Sequence, residues 1–355
     1  MRAPQVHTAM TTTLKDIAKE AGVDLSTVSR SVSGVAGVHP KTRERVLAVA
    51  QRMNYQPNRI ARGLVTGRTH TLALIISDVR NPFFAEVARG AEDAAYASGF
   101  DLILCNSDLN PERQMRYFDS LCEKRVDGIV VNSVFSPDRG QQAKLAASGL
   151  PIVLLNASRA AARFSTVSAD SLEGGRLAAQ YLTDRGHRRI AHLAGPRRHT
   201  NLGNRTKGFL TALRERGISD AILLHGEHTF SGGHQMAETL FRKAHDITAV
   251  FCVNDVIAFG CIRAAIEHGI RIPEQLSIIG FDDVQLAGLT APPLTTIHQP
   301  KYDLGQSAIN LLLDAIRRGP QTTPEHRLLG VRLVERNSCR DLRSGGRAAH
   351  SSNSG

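Results

Sequence analysis

Two sets of residues stand out by type and spacing. The first lies in AGVDLSTVSRSVSG, residues 21–34, where Ser26, Thr27, Ser29, Arg30 and Ser33 take the outer side of a short helix. Small hydroxyls and one guanidinium make a poor packing face but a good hydrogen-bonding one. Arginine forks onto guanine O6 and N7, and serine or threonine takes base edges or phosphate oxygens. The second set follows apolar runs such as LALIIS and LSIIGF: Asp78, Asn106, Asp255 and Asp282 sit at their ends. In open parallel sheets, ligands bind outside the carboxyl ends of the strands. Carboxylates and amides there suit the hydroxyls of a small molecule.

The elements that position these groups can be read along the chain. Residues 13–55 predict three short helices. Thr13 caps the first, whose apolar residues are Leu14, Ile17 and Ala18, and Gly22 closes it. Ala18 is small where two helices must cross. Asp24 is expected to cap the second helix, with Val28 and Val32 on its inner face. Val46, Val49, Ala50 and Met53 form the stripe of the third, and Pro57 breaks the pattern. From Thr71 short apolar runs alternate with helical segments, in two groups of four, which is the rhythm of parallel α/β sheets. KYDLGQSAINLLLDAIRR then reads as one amphipathic helix.

Charge separates the two regions. The 355 residues carry a net +11, and residues 1–70 hold eleven Lys and Arg against four Asp and Glu. A basic N-terminal unit on a nearly neutral body points to a polyanion as its partner. Cys105, Cys122, Cys252, Cys261 and Cys339 show no CxxC spacing, which favours reduced thiols in a cytoplasm over a disulfide framework or a zinc site. No apolar run approaches a membrane span, and the first residues lack the run of a signal peptide. The first strand leads into VRNPFFAEV rather than GxGxxG, and Gly174-Gly175-Arg176 lacks that spacing. No P-loop, nucleophile elbow or HExxH occurs, so the reading is of a non-enzyme without cofactor or metal.

TLKDIAKEAGVDLSTVSRSVSG and KTRERVLAVAQRMNYQPNRIARGL closely resemble the DNA-binding headpiece of the lac repressor family. The likeness continues in order through NPFFAEVARGAEDAA, KRVDGIVV, DRGHRRIAHLAGP, AVFCVND, LSIIGFDD and PLTTIHQPKYDLG, about residues 13–338. It implies an all-α helix-turn-helix headpiece and hinge helix joined to a two-lobed α/β effector domain of the periplasmic-binding-protein type. The implied boundaries are a flexible tail at 1–12, the headpiece at 13–56, the hinge at 57–70, the effector domain at 71–338 and a disordered tail at 339–355. Lobe 1 would hold about 71–168 and 300–325, and lobe 2 about 169–299 and 326–338. The implied function is a cytoplasmic homodimeric repressor that reads operator double-stranded DNA under control of a small-molecule effector, with no membrane partner.

By position in that family, Leu25, Ser26 and Arg30 match base-contacting residues. Thr13, Thr27, Ser29, Ser33, Thr42 and Asn58 match phosphate-side ones. Leu64 matches a hinge leucine that wedges into a minor-groove step. Effector positions fall on Asp78, Asn81, Phe83, Phe84, His199, Asn201, Arg205, His228, Asp255, Asp282 and Gln299. A neutral sugar or sugar derivative leads as effector, because aromatic rings stack on a sugar's C–H face while carboxylates and amides take its hydroxyls. A purine-type effector is the alternative. The rivals from other classes are a periplasmic sugar-binding protein, which would lack residues 1–70, and a nicotinamide-dependent enzyme. Gly63 departs from the family and costs about 1 kcal/mol against alanine in a helix. Gly63→Ala is therefore expected to tighten operator binding in a titration at fixed salt; equal or weaker affinity would contradict a hinge that must fold on DNA.

Overall fold

The computed structural model describes residues 12–55, 68–132, 139–157, 163–197, 200–319 and 323–343. The chain divides at residues 69 and 70 into two compact units.

The first unit holds helices α1 (Leu14–Ala21), α2 (Leu25–Val32) and α3 (Pro40–Arg52). Thr13 and Asp16 form a reciprocal capping box, and Gly22 ends α1 at φ +60°. Ile17, Ala21, Val28, Val46, Val49 and Ala50 make the small core, with Ala18, Val32 and Met53 packed against it. One expectation fails. Asp24 stands at the N-cap of α2, but its side chain makes no capping hydrogen bond. Its backbone carbonyl instead takes the amides of Thr27 and Val28 at 3.0 Å each. The carboxylate is exposed, so water can serve both it and the remaining amides of the first turn.

The second unit is two α/β lobes. The first contains β1 (Thr71–Ile76), α4 (Pro82–Ala97), β2 (Asp101–Asn106), α5 (Pro111–Glu123), β3 (Gly128–Asn132), α6 (Arg139–Ala147), β4 (Ile152–Leu155) and β5 (Ser165–Ala169). The second contains α7 (Ser171–Asp184), β6 (Ile190–Ala194), α8 (Thr200–Glu215), β7 (Ile222–His225), α9 (Phe230–Lys243), β8 (Ala249–Cys252), α10 (Asp255–Glu267), β9 (Ser277–Asp282) and β10 (Thr295–His298). The chain then returns to the first lobe as α11 (Lys301–Arg318) and β11 (His326–Leu329), and ends in the second with β12 (Arg332–Val334).

The sheets run β11-β5-β4-β3-β1-β2 and β12-β10-β9-β8-β6-β7. All pairings are parallel except β10 with β12. The eight apolar runs became strands, while β5, β10, β11 and β12 escaped the pattern because STVSA, TTIH, HRLL and RLV are polar or very short. Two boundaries move. His326 to Leu329 pair with β5, so the last crossing between lobes lies after residue 329 rather than before 326. The chain past 338 is stitched to the second lobe: Arg340 N donates to Ser277 Oγ of β9 at 3.0 Å and Leu342 N to Arg185 O at the end of α7 at 2.9 Å. The described tail is thus ordered through 343.

The helix layers depend on close backbone approach. A Cβ on Gly90 of α4 would lie 2.0 Å from the Tyr302 carbonyl oxygen, and one on Gly305 of α11 would lie 2.0 Å from that of Val87. Gly175, noted above as a weak phosphate-loop match, serves the same purpose between α7 and α8, 2.1 Å from Arg205 O. Gly305→Ala should push α11 off α4 and cost about 3 kcal/mol, the upper range for an overpacked core. A urea melt would show this as a lower midpoint for the second unit; an unchanged midpoint would refute it.

Candidate functional site

In the headpiece, Ser26, Arg30 and Ser33 are spaced i, i+4 and i+7 from the start of α2, which puts them on one stripe. All three are exposed, as is Leu25 at 44%. Thr27, Ser29 and Thr42 are half-buried. The Arg30 guanidinium has no hydrogen bond or ion pair among the described residues, while its carbonyl accepts from Val35 N at 3.1 Å. Thr13 is exposed, but its hydroxyl donates to Asp16 Oδ2 at 2.7 Å and accepts from Asp16 N at 3.4 Å, so capping is its established work. Asn58 and Leu64 lie outside the described residues, as does Gly63.

In the second unit a cleft opens between the lobes at the carboxyl ends of both sheets. Its second-lobe wall centres on Arg205 and Asp282, 4% and 3% exposed. Arg205 Nη1 donates to Val253 O at 2.8 Å and lies 3.4 Å from Asp282 Oδ1. Its guanidinium stacks 3.7 Å over the Phe281 ring. Gln299 Nε2 donates to the same Asp282 oxygen at 2.5 Å. Oδ2 has no partner among the described residues. Burial pushes Asp282 up to about 6, against the pull of Arg205 and Lys301.

His228 completes this wall. Asn254 Oδ1 caps α10 by accepting from Ile257 N at 2.9 Å, which turns Nδ2 toward His228 Nε2 at 2.8 Å. Nε2 is therefore an acceptor, and the proton sits on Nδ1. Burial first, and then Arg205, push His228 down to about 4, so the imidazole is neutral at pH 7.

The first-lobe wall is amide and aromatic. Asn81 caps α4, accepting from Phe83 N at 3.0 Å. Phe83 and Phe84 meet edge to face, 5.0 Å apart at 88°. Behind them runs a polar chain. Asn132 Nδ2 donates to Ser77 Oγ at 3.0 Å, and Asn156 Nδ2 approaches Asn132 Oδ1 at 3.5 Å. Ser77, Asn132, Asn156 and Leu202 also line the cleft and were not anticipated. Ser77, Asn132 and Asn156 lie at the ends of LALIIS, GIVVN and PIVLLN, so the strand-end rule that picked out Asp78 would have found them.

Other expected residues lie elsewhere. Asp78 is taken by Arg80, whose Nε donates to it at 2.9 Å. Asn106 accepts from Val79 N at 3.1 Å and holds the loop after β1. Asp255 lies behind the cleft: it accepts from Thr296 Oγ1 at 2.6 Å and from Val284 N at 2.9 Å. Burial and the charge of Asp282 push Asp255 up to about 8. Gln299 is fully buried and reaches the cleft only through Asp282. His199 lies outside the described residues, as does the side chain of Asn201.

A profile described as bacterial regulatory proteins, lacI family, matches residues 13–58. One for a periplasmic-binding-protein-like domain matches 158–339. The HTH-type transcriptional repressor PurR of Proteus mirabilis (strain HI4320) is 37% identical over 335 residues, 93% of this chain and 97% of that protein. Among solved structures, a lac repressor dimer bound to operator and the anti-inducer ONPF aligns with a TM-score of 0.84 at 28% identity, over 93% of this chain and 99% of that one. A transcriptional regulator CelR–cellobiose complex aligns at 0.70 with 31% identity, over 92% and 99%. No helix of the described residues is long and apolar enough to cross a membrane. The chain belongs to the lacI family of bacterial regulatory proteins as a DNA-binding transcriptional repressor.

Proposed function

We propose that the repressor is a homodimer whose operator affinity is set by a neutral sugar or sugar derivative in the interlobe cleft. The observation that carries this is the pairing inside the cleft. Arg205 is the cation of the lining, and it is already engaged by Asp282, Val253 O and Phe281. Among the described lining residues no cation is left for a phosphate or carboxylate. What remains is Asp282 Oδ2, three asparagines, a serine and a neutral imidazole, a set matched to hydroxyl groups.

A purine effector is the second reading, favoured by the name of the P. mirabilis relative. The edge-to-face Phe83–Phe84 pair argues for the sugar. It offers one ring face and one ring edge, whereas a flat base is best held between parallel faces. Sugar binding by the CelR neighbour agrees with this choice. Effector and operator are linked: whichever lobe arrangement the sugar favours must change how the dimer holds its two headpieces, and the coupling is reciprocal.

On DNA, Leu25, Ser26 and Arg30 are proposed to read base edges. Thr13, Thr27, Ser29, Ser33, Thr42 and Asn58 would hold phosphates, and Leu64 would wedge into the minor groove. Base contacts specify and phosphate contacts position. Arg30→Ala should lose discrimination at one base pair, worth about 1–3 kcal/mol, while Ser29→Ala weakens all sites equally. Selection from a randomised operator pool checks both, and an unchanged preference with Arg30→Ala would undo the assignment. In the cleft, Asn132→Ala and Ser77→Ala should each sharply weaken the response of operator binding to the effector sugar while leaving sugar-free operator affinity in place. A gel-shift titration with and without sugar reads this; a full response from both variants would place the effector elsewhere.

A further inference from the structure

Apart from the cleft, at the far end of α10 from Asn254, four metal-ligating side chains converge on the surface of the second lobe. His234 and Glu238 lie one turn apart on α9, and Glu267 and His268 end α10. Their pairing crosses between the helices: His234 Nε2 is 2.6 Å from Glu267 Oε2, and His268 Nε2 is 2.8 Å from Glu238 Oε1. The ligand atoms of His234, Glu238 and Glu267 all lie within 4.8 Å of one another. We propose that these residues bind one divalent transition ion of the zinc class, which ties α9 to α10.

The donor set selects the ion. Two imidazoles with two carboxylates suit zinc, cobalt or nickel, whereas magnesium and calcium prefer oxygen alone. A tetrahedral ion with bonds of ~2.0–2.1 Å holds its donors ~3.3 Å apart. The crossed pairs would open by about 0.5–0.7 Å while the ligand atoms of His234, Glu238 and Glu267 draw in from within 4.8 Å and His268 swings in beside Glu238, movements that side-chain rotation supplies. The backbone beneath does not shift. A Cβ on Gly233, next to His234, would lie 2.4 Å from Ile257 O, and one on Gly260 would lie 2.2 Å from Phe230 O. This contact fixes α9 against α10, and a fixed scaffold is what a preorganised site requires.

The surroundings agree. Arg263 Nε donates to Glu267 Oε1 at 2.7 Å, which leaves Oε2 toward His234 and orients the carboxylate. Two carboxylates against one guanidinium leave the cluster with one net negative charge when both imidazoles are neutral. On binding, the proton on each ligating Nε2 leaves for Nδ1 or solvent, and no other bond changes.

The test is a calorimetric titration of chelator-stripped, full-length protein with Zn²⁺ alone. One ion per chain with a micromolar Kd is expected, together with a higher Tm. The His234→Gln/His268→Gln double variant and the single Glu238→Gln variant should each weaken binding at least about tenfold. Their metal-free unfolding midpoints and operator affinities should stay at wild-type values. Absence of binding at 100 µM Zn²⁺, undiminished binding by both variants, or displacement of Zn²⁺ by millimolar Mg²⁺ would overturn the proposal.

Discussion

The buried Arg205–Asp282 pair is the constraint on which the effector unit depends. Two charges 4% and 3% exposed are costly to desolvate, and their attraction offsets that cost only when the remaining hydrogen-bonding capacity is also met. Here part of it is met, from several elements at once. Arg205 comes from α8, Val253 O follows β8, the Phe281 ring belongs to β9, and Gln299 follows β10. Removing either charge would strand the other, a loss of about 3–5 kcal/mol. The pair therefore fixes the mutual positions of α8, β8, β9 and the crossing after β10. The same geometry leaves one Asp282 oxygen for a ligand.

From that point the connection runs to the first lobe. Asp282 and Asp283 have φ of +117° and +54°, conformations that non-glycine residues rarely adopt. Lys301, the first residue of α11, holds their carbonyls with its ammonium at 2.8 and 2.7 Å. Helix α11 in turn lies on α4 through the glycine crossing, and Asn81, Phe83 and Phe84 sit at the start of α4. A ligand that draws Asp282 toward Asn81 thus acts on groups tied to both lobes by short, stiff links. Under the proposed function, these links are the route by which the cleft would couple to the arrangement of the lobes.

Much of this was legible in the sequence. Periodicity found the three headpiece helices, eight of the twelve strands and α11, because each buries a regular apolar stripe or run. The strand-end rule found Asp282, and the family likeness added Arg205, His228, Asn81, Phe83 and Phe84. The failures have local causes. Asp255 looks like a cleft residue, but Gly280 leaves room behind it: a Cβ there would fall 2.2 Å from Asp255 Oδ1. The carboxylate turns into that space and bonds Thr296. Asp78 is captured by Arg80, two residues along the chain. Asn132 and Asn156 end GIVVN and PIVLLN just as Asn106 ends DLILCN, so position alone does not separate cleft amides from one that holds a loop. The polar strand β5 could be seen only once Thr166 and Val167 were known to pair with β11 and β4.

The central claim is that the cleft is built for neutral hydroxyl groups, and a thermal-shift screen of the full-length protein tests it most directly. The panel would hold neutral mono- and disaccharides, sugar phosphates, and the bases hypoxanthine and guanine. A ligand at one hundred times its Kd adds about 2.7 kcal/mol of stability, which moves the melting transition by several degrees. The account predicts that a neutral sugar raises the Tm while its phosphate ester and the bases do not. Stabilisation by a purine base alone, or by a sugar phosphate more than by its neutral parent, would contradict it.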